Sequence, residues 1–177
     1  MEAKVVLLAD RPGLIPALAV WFARVWEPYY GPDGPGDAMA DLQAGCQKDQ
    51  LPIYLVAMSA DGKALGTASL KDLSAADRPD LGPWLTALAV PPEHAGQGVA
   101  ELLVAAIEDE AKRLGQSAIY CDANTDETLK SPSGWEEVDA FLLANRGWAR
   151  IGTADSLRGP TAIYKCVLNA IRSHGPA

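Results

Sequence analysis

The chain has 177 residues, 49% of them hydrophobic and 21% charged, which supplies enough apolar material for one sizeable core. Against 23 Asp and Glu stand 15 Lys and Arg with no basic block, a net charge of −8, so a nucleic-acid partner drawing on clustered cations is disfavoured. Cys46, Cys121 and Cys166 are odd in number, widely spaced and free of any CxxC, which argues against a disulfide framework or a zinc site and suits a reducing cytoplasm.

The opening MEAKVVLLADRPG holds an apolar run too short for a signal peptide or a membrane span, so the chain reads as soluble and unprocessed. Lys4 to Ala9 is rich in strand formers and is punctuated by Asp10, Arg11 and Pro12. Leu14, Leu18, Trp21, Phe22 and Val25 then recur at a helical period. EPYYGPDGPGD, Glu27 to Asp37, predicts a loop. Within it, Tyr29 and Tyr30 either pin the loop to the core or line a substrate pocket. Asp37 is placed to cap a second helix running to about Asp49, with Met39, Leu42 and Cys46 inward.

Ile53 to Ser59 and Ala64 to Lys71 flank Ala60-Asp61-Gly62-Lys63, a strong hairpin signal. After the loop SAADRPDLGP, Trp84 to Val90 is a nearly continuous apolar run, as expected of a strand buried on both faces. A helix then carries Leu103, Ile107, Ala111 and Leu114 on one stripe, and Gly115 ends it. Ser117 to Cys121 predicts a short strand. Ser133-Gly134-Trp135-Glu136 reads as a capping box opening a helix with Val138, Phe141 and Leu142 that stops at Gly147. Two strands close the pattern, at about Trp148 to Thr153 and Thr161 to Leu168. No internal repeat is present.

The chemistry concentrates in LTALAVPPEHAGQGVA, Leu85 to Ala100, where a strand runs through two prolines to Gly96 and Gly98 at a helix start. Such a junction exposes unpaired N–H groups at the positive end of a helix dipole and attracts phosphate. A P-loop needs Gly-Lys followed by Ser or Thr, but Val99 follows Gly98. A Rossmann fingerprint needs a third glycine, but Glu101 stands there, and the motif should follow a first strand.

The run WLTALAVPPEHAGQGVAELL instead resembles the acyl-CoA motif of the GNAT superfamily of N-acetyltransferases, at Val90, Pro92, Gly96, Gly98, Ala100, Leu102 and Leu103. FLLANRGWARIG, Phe141 to Gly152, is similar to that family's later helix and strand. The resemblance implies an α/β fold in one domain over residues 1–170, with 171–177 as a tail. Its mixed, mostly antiparallel sheet would be flanked by helices, in the order strand, two helices, three strands, helix, strand, helix, two strands. It implies acetyl-CoA as cosubstrate and no metal. The amides of Ala95, Gly96, Gln97, Gly98, Val99 and Ala100 would hold the pyrophosphate, and the backbone at Leu88, Ala89 and Val90 would pair with the pantetheine arm.

Two positions depart from the family pattern. Ala95 replaces the usual Gln or Arg, and Leu143, four residues before Gly147, replaces a tyrosine that protonates the departing thiolate; leucine cannot donate a proton. Tyr120 is the nearest substitute acid by sequence. Glu93 and Asp122 are the candidate bases, directly or through water. His94 reads as a solvent-facing turn residue. No cysteine has an evident base beside it, so direct attack is favoured over a covalent enzyme intermediate.

The acceptor is expected to be a small amine or a peptide amine, and Asp77, Asp80, Asp122, Asp126 and Glu127 could attract a cationic one. Neither membrane nor nucleic acid is expected, and a homodimer stays open. The competing reading is a non-catalytic acyl-CoA-binding module in which Ala95 and Leu143 record lost chemistry.

Overall fold

The computed structural model describes residues 3–73, 77–124, 140–156 and 159–168. Its strands are β1 (Ala3–Leu7), β2 (Ile53–Ser59), β3 (Ala64–Lys71), β4 (Trp84–Ala89), β5 (Ala118–Asn124), β6 (Ala149–Ser156) and β7 (Gly159–Val167). Its helices are α1 (Ile15–Val25), α2 (Glu27–Tyr30), α3 (Ala38–Ala44), α4 (Val99–Arg113) and α5 (Ala140–Asn145). The strands form one seven-stranded sheet in the order β1-β2-β3-β4-β5-β7-β6. Among these strands only β4 and β5 pair in parallel. A crossover connection is required there, and α4 supplies it.

Two apolar layers sandwich the sheet. Alternation along β2 sends Ile53, Leu55 and Ala57 toward α4, where they meet Leu103, Val104, Ile107 and Ala111. Tyr54, Val56 and Met58 point the other way, against Leu18 and Phe22 of α1 and Leu42 of α3. The β2–β3 turn forms as the Asp-Gly pair predicts: Gly62 takes φ +82°, and the Ser59 amide donates to the Lys63 carbonyl at 2.9 Å.

The structure departs from the sequence expectations at several boundaries. β1 ends at Leu7, and a 3-10 turn follows over Leu8–Asp10. The segment expected to be all loop begins with the helical turn α2, whose Pro28 sits in its first turn, where a missing N–H costs nothing. Tyr30 then packs on Phe22 at 5.7 Å and donates to Asp41 Oδ2 at 2.5 Å, while Tyr29 stacks edge-on against it at 4.7 Å. Tyr30 therefore pins this segment to the core.

Asp37 caps α3 as expected, accepting from the Ala40 amide at 3.0 Å. The helix stops at Ala44 rather than near Asp49, and Met39 is exposed, since only Ala38 and Leu42 face inward in so short a helix. Its end is fixed by Gly45, where an added Cβ would fall on Cδ2 and Cε2 of the buried Tyr54 ring. Cys46, just beyond, is half-buried against the α1 layer. β5 runs three residues past the expected Cys121. The expected capping box at Ser133 to Glu136 lies outside the described residues, as do Val138, Asp126 and Glu127.

Candidate active site

β4 is the axis of the site. Ser69 faces Thr86, yet Thr67 faces Ala89, so two steps along β3 match three along β4. The extra residue is a bulge at Ala87, which holds φ +50°, a left-handed conformation that costs a non-glycine residue about 1–3 kcal/mol. Just before it, the Ser69 and Thr86 hydroxyls lie 2.7 Å apart.

A bulge bends its strand, and β4 parts from β5 at this point. The two pair only at Trp84 with Tyr120, supported by the Tyr120 amide donating to the Pro83 carbonyl at 2.9 Å. From Thr86 to Ala89 the β5 side of β4 has no strand partner among the described residues. A split therefore opens toward the carboxyl ends of both strands, edged by the stretch of β4 that ends at Leu88 and Ala89.

Beyond β4, Pro92–His94 makes a 3-10 turn, and α4 begins at Val99. The Ala95 amide donates back to the Pro92 carbonyl at 3.3 Å, and the Gln97 side-chain amide donates to the Glu93 carbonyl at 2.9 Å. The next backbone bond is from the Leu102 amide to the Gly98 carbonyl at 3.1 Å. Between them the amides of Gly96, Gln97, Gly98, Val99, Ala100 and Glu101 find no acceptor among the described residues. Gly96 and Gly98 take φ +68° and +80°, and a Cβ on either would meet nothing within 4 Å. They are glycines for their backbone conformation, and open space lies over them.

Gly66 on β3 brings the two parts together. A Cβ there would lie 3.0 Å from the Ala89 carbonyl oxygen and 3.1 Å from both Val90 Cγ2 and Val99 Cγ1. Its bare backbone lets the end of β4 and the start of α4 close onto the sheet, which seats the amide run beside the split.

Tyr120 and Asp122 project from one face of β5, opposite α4, whereas Ile119, Cys121 and Ala123 project into the α4 core. Tyr120 is half-buried beside Trp84, ring centroids 5.7 Å apart, with Lys165 Nζ 5.7 Å over its ring. Asp122, two residues on, lies where β4 no longer pairs with β5. Glu93 stands apart from both, exposed in the turn beyond the end of β4. His94 is half-buried rather than solvent-facing, and its Nδ1 is enclosed without a partner among the described residues.

Leu143 is fully buried in the α4 core, its carbonyl accepting from the Arg146 and Trp148 amides. Burial pushes the Cys121 thiol well above the ordinary range, with Asp122 adding to the effect, so it is a poor nucleophile.

A second polar group on the same sheet face was not legible in the sequence. Asp41 Oδ2 accepts from Tyr30 and lies 3.9 Å from Lys71 Nζ, which in turn sits 5.1 Å over the Tyr54 ring. Burial lowers the Lys71 pKa, opposed by Asp41, and burial raises those of Tyr30 and Tyr54. Helical and strand periodicities place each residue on a face but do not reveal which strands meet. Asp80, one of the acidic residues expected to attract a cation, is taken by Arg78 in two 2.8 Å bonds.

No helix among the described residues is long and apolar enough to cross a membrane. No curated protein matches the chain in sequence. Solved structures resemble it over nearly its whole length. An aminoglycoside 6'-acetyltransferase type Ii has a TM-score of 0.68 at 16% identity, covering 96% of this chain and 98% of its own. An aminoglycoside 6'-N-acetyltransferase complexed with coenzyme A scores 0.66 at 13% identity, with 98% and 100% covered. Mutant forms of the spermidine/spermine N-acetyltransferase SpeG from Vibrio cholerae score 0.65 at 13% identity, with 94% and 95% covered. At these identities the likeness is one of fold. The family model described as acetyltransferase (GNAT) family matches residues 17–131, more than half the chain and the whole split with its amide run. The chain belongs to the GNAT family of N-acetyltransferases.

Proposed function

We propose that this protein transfers the acetyl group of acetyl-CoA directly to a primary amine. The observation that carries the proposal is the run of unpartnered amides from Gly96 to Glu101, set beside the split between β4 and β5. Oriented N–H groups at the start of a fifteen-residue helix suit a diphosphate. The β5-facing edge of β4 beyond Trp84, left without a strand partner among the described residues, suits an extended amide-bearing arm added like a strand. An arm running back along β4 brings the thioester toward the Ala87 bulge, near Tyr120 and Asp122.

There the neutral acceptor nitrogen attacks the thioester carbon, the N–C bond forms, and collapse of the intermediate breaks the C–S bond. The nitrogen, cationic after the attack, releases its extra proton to solvent, and the thiolate leaves and takes a proton. In this reading Tyr120 supplies that proton and Asp122 removes the one from the acceptor ammonium, directly or through water. Glu93 suits the base role less well, because it sits nearer the amides that would face the diphosphate. Ala95 and Leu143, which prompted the non-catalytic alternative, lie respectively in the turn before the free amides and in the core. Leu143 offers no hydroxyl to the departing thiolate, and in this reading Tyr120 takes that role. The three free cysteines accord with a reducing, cytoplasmic location.

Steady-state kinetics with an accepted amine test the assignment. Tyr120→Phe is expected to lower kcat by about tenfold to a hundredfold while leaving the KM for acetyl-CoA within about twofold. Unchanged kcat would assign the proton to water or to another group.

A further inference from the structure

We infer that the acceptor amine carries an anionic group, a carboxylate or a phosphate, and that Lys165 receives it; this rests on the acetyltransferase reading above. Cross-strand register sets four residues in one row on the reaction face: Lys71 beside Trp84, Trp84 beside Tyr120, and Tyr120 beside Lys165. The row lies at the closed end of the split, where the thioester would arrive. An ammonium stands at each end of an aromatic pair.

The cations around this row are not equally satisfied. Arg78, whose charge reaches Tyr120, is held by Asp80 in two bonds. Lys71 has Asp41 at 3.9 Å and the Tyr54 ring. Lys165 has only the face of Tyr120, and no acidic side chain lies within ion-pair distance of it among the described residues. In a chain with 23 acidic residues against 15 basic ones, a half-buried ammonium that touches the proposed acid and has no carboxylate within ion-pair distance among the described residues is an open half of an ion pair.

Asp122 is the diagonal neighbour of Lys165 across β5 and β7 on the same face. Diagonal positions in an antiparallel pair lie about 7 Å apart, within the span of one small zwitterion. Asp122 would face the acceptor ammonium and Lys165 its anion, an arrangement that suits an amino acid or a phosphoamine. A polycation would set a positive charge against Lys165 with no compensating acid.

Acetyl transfer is measured for matched pairs: an L-amino acid panel against the corresponding amides, O-phosphoethanolamine against ethanolamine, and spermidine as the polycation. The anion-bearing member of at least one pair is expected to exceed its neutral partner by about tenfold in kcat/KM, one charge-assisted bond's worth of discrimination. The two pair types separate carboxylate from phosphate. Lys165→Met is expected to bring the ratio near one and Lys165→Arg to preserve it. A ratio near one in the unmodified protein, preference for spermidine, or a ratio untouched by Lys165→Met overturns the inference; the last result would leave Lys165 as a mere support for Tyr120. Calorimetry with acetyl-CoA runs beside the assay. Binding of acetyl-CoA with no turnover of any anion-bearing amine overturns the acceptor class alone, whereas absence of binding overturns the underlying reading.

Discussion

Gly98→Trp is expected to lose at least about a hundredfold in acetyl-CoA affinity while the protein stays folded. A Cβ at Gly98 meets nothing of the protein within 4 Å, so the indole has room to extend over the free amides. It would occupy the space a diphosphate needs, and a hundredfold loss corresponds to about 2.7 kcal/mol of binding free energy. The same substitution puts a side chain at φ +80°, a strain of about 1–2 kcal/mol that lowers stability without touching the ligand. Gly98→Ala separates the two effects, since it carries the strain without the bulk. Calorimetry and thermal melts on both variants should show similar melting temperatures and a large affinity loss in the Trp variant alone. Equal affinities would move the diphosphate away from α4.

The second large effect is on stability. Glu108→Ala is expected to destabilise the protein by about 3 kcal/mol, the scale of a half-buried ion pair broken on one side. The Glu108 carboxylate, 13% exposed, accepts from Arg146 Nε at 3.1 Å, Arg146 Nη2 at 2.6 Å and Trp148 Nε1 at 2.8 Å. Removing it strands a guanidinium and a nearly buried indole N–H together. That cluster ties α4 to the turn at Gly147 and so to the hairpin of β6 and β7, which pairs with β5. For a chain of this size the melting temperature should fall by roughly 6–12 °C. Glu110→Ala, which removes an i,i+3 partner of the exposed Arg113 guanidinium, should change stability by less than about 1 kcal/mol. Similar losses in the two variants would contradict the account.

What the sequence made legible divides along physical lines. The β2–β3 turn, α4 and the Gly96–Gly98 junction were readable because each rests on local chemistry: a turn dipeptide, a stripe at i and i+4, glycines at positive φ. The run Trp84 to Val90 correctly announced a central strand, since β4 lies between β3 and β5. It did not announce that the strand breaks away from β5, because the bulge is carried by Ala87, and alanine is no marker for a left-handed backbone. Nor did it disclose that Tyr120 would stand between Trp84 and Lys165, or that Asp41 would meet Lys71. Those are contacts between distant segments, set by sheet order and helix docking. Met39 was misplaced for a smaller reason: α3 is too short for its period to bury three positions.

The most direct test of the central claim is a calorimetric titration of the unmodified protein with acetyl-CoA, which needs no knowledge of the acceptor. The account predicts saturable binding with a Kd of about micromolar strength, as expected when a run of amides and a free strand edge act together. No binding at millimolar acetyl-CoA would contradict it, and would leave the split and the amide run as features of the fold alone.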